Sequence, residues 1–160
     1  MAQVSAIPQG MHTVIPVITI NGCAEAIEFY KKAFGAEDLG RSPDASGKLI
    51  MHASVRIGDS TVFMGDEIPG VSSASPVNLW FYFNDVDAAF ERAVKAGCKA
   101  VMPPTEMFWG DRMGKVTDKW GNEYELAQHV KDVTPQELEK GRKAFALRPL
   151  IRTSLGNRRR

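Results

Sequence analysis

From Thr13 to Ile20 the chain is β-branched and apolar, the pattern of a buried strand. The period then changes. Cys23, Ala26, Ile27, Tyr30 and Phe34 recur at helical spacing, which predicts a helix over 22–34 with Asn21 as its N-cap and Gly35 as its stop. A short strand is expected at 37–41, and a loop at 42–47 from its Ser, Pro, Asp and Gly content. Two further apolar runs, 49–57 and 61–64, flank Gly58-Asp59 and read as a hairpin. The order is β-α-β-β-β.

The same order follows a Gly-, Ser- and Pro-rich linker at 67–76. Residues 77–83 read as a strand. A helix over 85–96 places Val86, Ala89, Phe90, Ala93 and Val94 on one face, and Gly97 stops it. Residues 99–102 form a short strand, and 103–113 a long loop bearing Phe108 and Trp109. Strands 115–118 and 123–128 pair around Trp120-Gly121-Asn122. The run from Asn21 to Glu28 aligns with that from Asn84 to Glu91, and Gly58 to Phe63 aligns with Gly121 to Leu126, both 63 residues on. A shared offset at two places implies two copies of one unit. A last helix opens at Thr134-Pro135-Gln136-Glu137, a capping box with proline at N1, and runs to about Leu147.

The chain is thus expected to be one domain over 1–160. Unit one spans about 12–66, the linker 67–76 and unit two about 77–130, and a helix with a basic tail fills 131–160. The class is α+β, two tandem βαβββ units forming an open β-sheet cavity, with a C-terminal helix. Its 160 residues, 44% hydrophobic, are enough for a sizeable core. The net charge of +1 speaks against nucleic acid as a partner, the terminal Arg158, Arg159 and Arg160 reading as a solvated tail. Two cysteines without a C-x-x-C spacing suit a reducing cytoplasm. No stretch approaches the roughly 18 apolar residues of a membrane span, and the N-terminus lacks a signal-peptide pattern.

Several motifs in this order resemble the vicinal oxygen chelate superfamily, in particular its PhnB-like, glyoxalase–bleomycin resistance protein branch. They are Ala26-Ile27-Glu28-Phe29-Tyr30 through Phe34-Gly35-Ala36, and Met51-His52-Ala53 through Arg56-Ile57-Gly58-Asp59. Phe108-Trp109-Gly110-Asp111-Arg112 follows, then Gly114-Lys115-Val116-Thr117-Asp118 through Gly121. The resemblance covers about 12–130 and implies the glyoxalase/bleomycin resistance/dioxygenase fold and a homodimer. It implies function less narrowly, because one scaffold carries many chemistries.

The resemblance also implies where metal ligands would lie: one residue on the first and one on the last strand of each unit. Glu125, in Gly121-Asn122-Glu123-Tyr124-Glu125-Leu126, resembles the last-strand ligand, and Asn78 falls at the first-strand position. Subtracting 63 gives Val62 and Ile15. Ile and Val cannot coordinate, so a metal site is not expected and no cofactor is assigned. A site pairing His52 with Glu125 would be non-standard, because hairpin pairing of Val55 with Val62 turns His52 away from Val62.

Strand alternation places Trp80 and Tyr82 on the cavity face with Asn78, joined by Ile15, Val17, Thr19, Val62, Met64 and Glu125. This is the profile of an aromatic-walled small-molecule pocket with one acid. Burial there without a metal raises a carboxyl pKa, fitting Glu125 as a general base or as an anchor for a cation stacked on Trp80 and Tyr82. The loop bearing Trp109 and Arg112 reads as a lid, with Arg112 placed to grip an anion. Asp118 is assigned to the hairpin turn. The favoured function is metal-independent binding of an aromatic or cationic small molecule beside Glu125. The alternatives are a glyoxalase-like lyase or isomerase using Glu125 as base, with a weakly bound divalent metal, and a dimeric scaffold without pocket chemistry.

Overall fold

The computed structural model describes residues 5–146; the expected helix end at Leu147 and the arginine tail lie outside them. Unit one contains β1 (Val17–Thr19), α1 (Cys23–Phe34), β2 (Glu37–Pro43), β3 (Ile50–Ile57) and β4 (Ser60–Gly65). Unit two contains β5 (Asn78–Tyr82), α2 (Val86–Lys95), β6 (Lys99–Glu106), β7 (Asp111–Thr117) and β8 (Glu123–His129). Helix α3 (Pro135–Ala146) follows. The sheets are ordered β1-β4-β3-β2 and β5-β8-β7-β6, each with its first strand parallel to its last and the other pairs antiparallel. This is the expected tandem α+β architecture. Among the described residues no helix is long and apolar enough to cross a membrane.

Each sheet lays one face on helices and leaves the other open. In unit one Ala53, Val55, Val62 and Met64 are buried under α1, while Val17 and His52 on the other face are exposed. In unit two Val116, Tyr124 and Leu126 are buried, while Trp80 and Tyr82 on the other face are 43% and 62% exposed. α1 and α2 pack together, so residues of both units form one core. At its centre Tyr30 on α1 meets Tyr124 on β8, the hydroxyls 2.9 Å apart. Phe34 packs at a tilt against Tyr124 and Phe81, with centroids 4.7 and 5.0 Å away.

The repeat is not rigid, and this corrects the cavity face expected in unit one. Val17 pairs with Phe63 as Trp80 pairs with Glu125. Val17 and Trp80 are 63 residues apart, but Phe63 and Glu125 only 62. The residue is lost in the helix, since the N-cap and stop glycine are Gly22 and Gly35 in unit one but Asp85 and Gly97 in unit two. A one-residue slip exchanges the faces of a strand. Val62 and Met64 therefore lie on the buried, helix-covered face, Val62 still bordering the cavity between the units, and Phe63 is the counterpart of Glu125.

The cap of α1 also differs from expectation. Asn21 does not supply it; the N-cap is Gly22, with no side-chain bond of its own. Asp66, just after β4, reaches across instead. One carboxylate oxygen accepts from the backbone N–H of Gly22 and of Cys23, each at 2.9 Å, and the other from Ile50 N–H at 2.7 Å. Asp66 is 5% exposed, so removing it strands three amides near the core. Asp66→Ala is expected to lower the unfolding free energy by about 2–3 kcal/mol, read from urea midpoints. The same carboxylate adds to burial in pushing the Cys23 thiol up to about 12, and burial does likewise to Cys98; neither is a nucleophile at neutral pH.

The expected loop at 103–113 is mostly strand. β6 runs on to Glu106 and β7 starts at Asp111, leaving a four-residue connection at 107–110. It is closed by bonds from Met107 N–H to Asp111 C=O (2.7 Å) and from Gly110 N–H to Met107 C=O (3.1 Å). The Gly110 carbonyl in turn accepts from Val130 and Lys131. A connection tied on both sides is not a lid. At α3 the capping box forms as read, with Thr134 Oγ1 accepting from Glu137 N–H and Glu137 accepting from Thr134 N–H. Gly141 leaves the notch that receives Phe108.

Candidate functional site

The open face of unit two gathers most of the residues singled out from the sequence. Trp80 and Tyr82 stand side by side on the edge strand β5, ring centroids 6.1 Å apart. Glu125 lies opposite Trp80 on β8, its side chain 14% exposed. Asn78 Nδ2 is 3.5 Å from Glu125 Oε1. The sequence reading lacked the acid's main partner. Lys115, paired with Glu125 across β7 and β8, brings its Nζ to 3.3 Å and also bonds Glu123. Glu123 and then Glu125 hold the Lys115 ammonium above its ordinary value. Glu125 is thus the inner half of an ion-paired cluster, not a carboxyl isolated among aromatic rings.

Beyond Tyr82 the same face carries a second polar centre. Asp111 is 4% exposed and accepts three hydrogen bonds. The donors are Tyr82 Oη and Trp109 Nε1, both at 3.0 Å, and His129 Nδ1 at 2.8 Å. The other ring nitrogen of His129 meets Asp132 at 3.0 Å. Asp132 first, and Asp111 second, raise the His129 pKa. The two carboxylates sit on opposite sides of the ring and so do not converge on a point. Among the described residues no group of three or more His, Cys, Asp or Glu does.

Other expected site residues lie elsewhere. Asp111 and Arg112 are neighbours on β7, so alternation sends them to opposite faces. Arg112 faces α2 and forks onto Asp87 at 2.8 and 2.7 Å. Trp109 serves Asp111. His52 is on the open face of the other sheet, edge-on to Phe63 with ring centroids 4.7 Å apart and with Ser54 Oγ at 3.4 Å. A cavity of about 430 Å³ joins the units, bounded by Pro16 and the β3–β4 hairpin on one side and by residues 79–83 of β5 on the other. Trp80 and Tyr82 belong to both the cavity and the open face. In β5 the backbone groups of Asn78, Trp80 and Tyr82 point away from β8, toward the cavity side of this edge strand.

Residues 11–126 match the Glyoxalase/Bleomycin resistance protein/Dioxygenase superfamily. The chain belongs to this superfamily. An uncharacterised protein of Mycobacterium bovis is 38% identical over 134 residues, covering 78% of this chain and 88% of the relative. Among solved structures, TioX from Micromonospora superimposes with a TM-score of 0.61 at 22% identity, covering 77% of this chain and all of that one. TnmS3 from Streptomyces, an antibiotic binding protein, superimposes with a TM-score of 0.58 at 24% identity, covering 79% of this chain and all of that one. At such identities these two structures speak to the fold. Carrying the superfamily's metal positions through the corrected register gives Ile15, Phe63, Asn78 and Glu125. Two hydrocarbon side chains, an amide and a carboxylate already paired with Lys115 do not fit a transition metal.

Proposed function

We propose that this protein is a metal-independent binder of a small aromatic or cationic molecule, held against Trp80 and Tyr82 beside Glu125. The carrying observation is that two large aromatic side chains stand exposed on a β-strand that also walls a cavity of about 430 Å³. Aromatic faces with one acid at their foot suit a flat cation or an electron-poor ring. Lys115 disfavours the lyase reading, since the Glu125 carboxylate already faces an ammonium at 3.3 Å and is not free to face a substrate proton. It also defines what a cationic ligand does: it takes the place of Lys115 at Glu125 while Glu123 keeps the lysine. TnmS3 supports the reading as a protein of this fold that holds an antibiotic.

A second copy of the chain completes the site in this proposal. Val14 and Val17 at and just before the edge strand of one sheet, and Trp80 and Tyr82 on the other, are exposed apolar side chains that a partner copy would cover. Unit one of one copy then roofs unit two of its partner. Two buried, unpaired cysteines agree with action in the cytoplasm.

The test is tryptophan fluorescence during titration with ethidium, a flat aromatic cation. Saturable quenching is expected, with Trp80→Ala weakening binding about tenfold and Glu125→Gln about fivefold. Equal affinity in both variants and the parent overturns the reading. Metal analysis yielding one tightly bound zinc, nickel or iron per chain overturns its metal-independence.

A further inference from the structure

The Asp111–His129 centre is not used by the binding reading above, yet it is built as a site. Asp111 is almost fully buried, and three donors on three different segments fix it. A carboxylate so held fixes in turn the His129 ring and places a proton on Nδ1. The imidazole itself is half exposed, with a side-chain exposure of 54%, so Nε2 is presented outward. Its partner there is Asp132, whose side chain lies fully in solvent. An exposed ion pair of this kind is weak and exchanges readily.

Around His129 the ends of β5 and β8 form a depression of about 350 Å³, lined by Tyr82, Phe83, Asn84, Gln128 and His129. Gln128 spends its Oε1 on the Val86 N–H at 3.3 Å. Its NH2 has no partner among the described residues, and neither has the Asn84 amide. The depression therefore offers an imidazolium N–H, two amide groups and the flank of two aromatic rings.

We infer that this depression binds the carboxylate of a small organic acid, which displaces Asp132 from His129 Nε2. Asp132 acts as an internal stand-in, a carboxylate that occupies the position until a ligand brings its own. One oxygen accepts from Nε2–H and the other from an amide N–H, and the body of the ligand rests on Tyr82 and Phe83. His129 is the one cation of the depression and Asp111 already faces it, so a monoanion leaves less unmatched negative charge than a dianionic phosphate would. The groups facing the ring are Asp111 on β7, Asp132 after β8 and the Tyr82 hydroxyl on β5; the first two keep the imidazolium charged above its ordinary range, Asp132 the more strongly. Binding therefore belongs to the protonated form. It is full at low pH and is lost as pH rises through the His129 pKa.

The experiment is a titration of the full chain with benzoate, and with neutral benzamide as control, following the His129 ring signals by NMR. It uses neither ethidium nor Glu125, so its outcome is separate from that of the aromatic-cation test. Benzoate should shift the ring signals saturably and raise the His129 pKa, with affinity falling at least about tenfold between pH 6 and pH 9. His129→Gln should lose that response. Asp132→Asn should bind benzoate several-fold more tightly at pH 6, because the internal competitor is gone, a gain that a merely structural Asp132 would not produce. Benzamide binding as well as benzoate, no saturable shift, or weaker binding in Asp132→Asn overturns the inference.

Discussion

Gly110→Ala should be among the most destabilising single substitutions in the chain, lowering the unfolding free energy by about 3–5 kcal/mol. Gly110 has φ +98°, a conformation an L-residue adopts only under strain. Strain is the smaller part. A Cβ built there would lie 1.9 Å from the Lys131 carbonyl oxygen and 3.1 Å from its carbon. That carbonyl is backbone and cannot turn aside as a long side chain would. It is held because Val130 and Lys131 both donate to the Gly110 carbonyl, at 2.9 and 3.0 Å. Relieving the clash means breaking both bonds and separating the 107–110 connection from the chain after β8. That connection carries Trp109 to Asp111 and Phe108 to Gly141, so the His129 centre and the seat of α3 should loosen together. A fall in the urea midpoint, with loss of the benzoate-induced His129 shift at temperatures where the core is still folded, checks both parts. Gly141→Ala, which presses on the movable Phe108 ring as well as its Cβ, should cost less.

How far the site was legible depended on register. The order of elements could be read because each has its own period: α1 and α2 show helical spacing, and the first strand of each unit an apolar run. Trp80 and Tyr82 could be placed on one face because β5 is short, regular and free of bulges. Glu125 could be found from the pattern around it. Its partner could not, for a definite reason. Pairing β7 with β8 across the five-residue turn 118–122 sets Lys115 opposite Glu125 and Asp111 opposite His129. Strands 115–118 and 123–128 as expected from the sequence meet at 118 and 123, which sets Lys115 opposite Leu126, one residue out, and omits Asp111 altogether. Aromatic and glycine residues at 107–114 give that stretch the composition of a loop although 111–114 is strand. The Val62 assignment failed differently, since equal offsets of 63 at the helix starts and at the hairpin glycines conceal an offset of 62 between the last strands. The capping of α1 by Asp66 is a contact across 43 residues with no local signal at all.

Asp118→Ala is expected to cost about 3–5 kcal/mol, through a buried chain of hydroxyls that joins the two units. One Asp118 oxygen accepts from Trp120 and Asn122 N–H, each at 2.9 Å, which is the turn-forming role read from the sequence. The other accepts from Asn122 Nδ2 at 2.8 Å and from Tyr124 Oη at 2.7 Å. With Tyr124 donating to Asp118, its oxygen is left to accept from Tyr30. Both rings are fully buried, and burial raises both phenol pKa values, so the hydroxyls remain protonated donors. Removing the carboxylate leaves Tyr124 without an acceptor and frees the turn at once. Tyr30→Phe removes only the last donor of the chain and should cost about 1 kcal/mol. The two losses should not add. Without Asp118 the Tyr124 hydroxyl can turn toward Tyr30, so Tyr30→Phe should cost a different amount in that background, and the difference in a urea-denaturation double-mutant cycle measures the coupling. Tyr30 belongs to α1 and Tyr124 is the residue before Glu125. The chain therefore fixes the strand that carries Glu125 against the other unit. Ethidium affinity in Asp118→Asn, which keeps part of the turn but weakens the hydroxyl chain, should fall although no ligand-facing residue has changed.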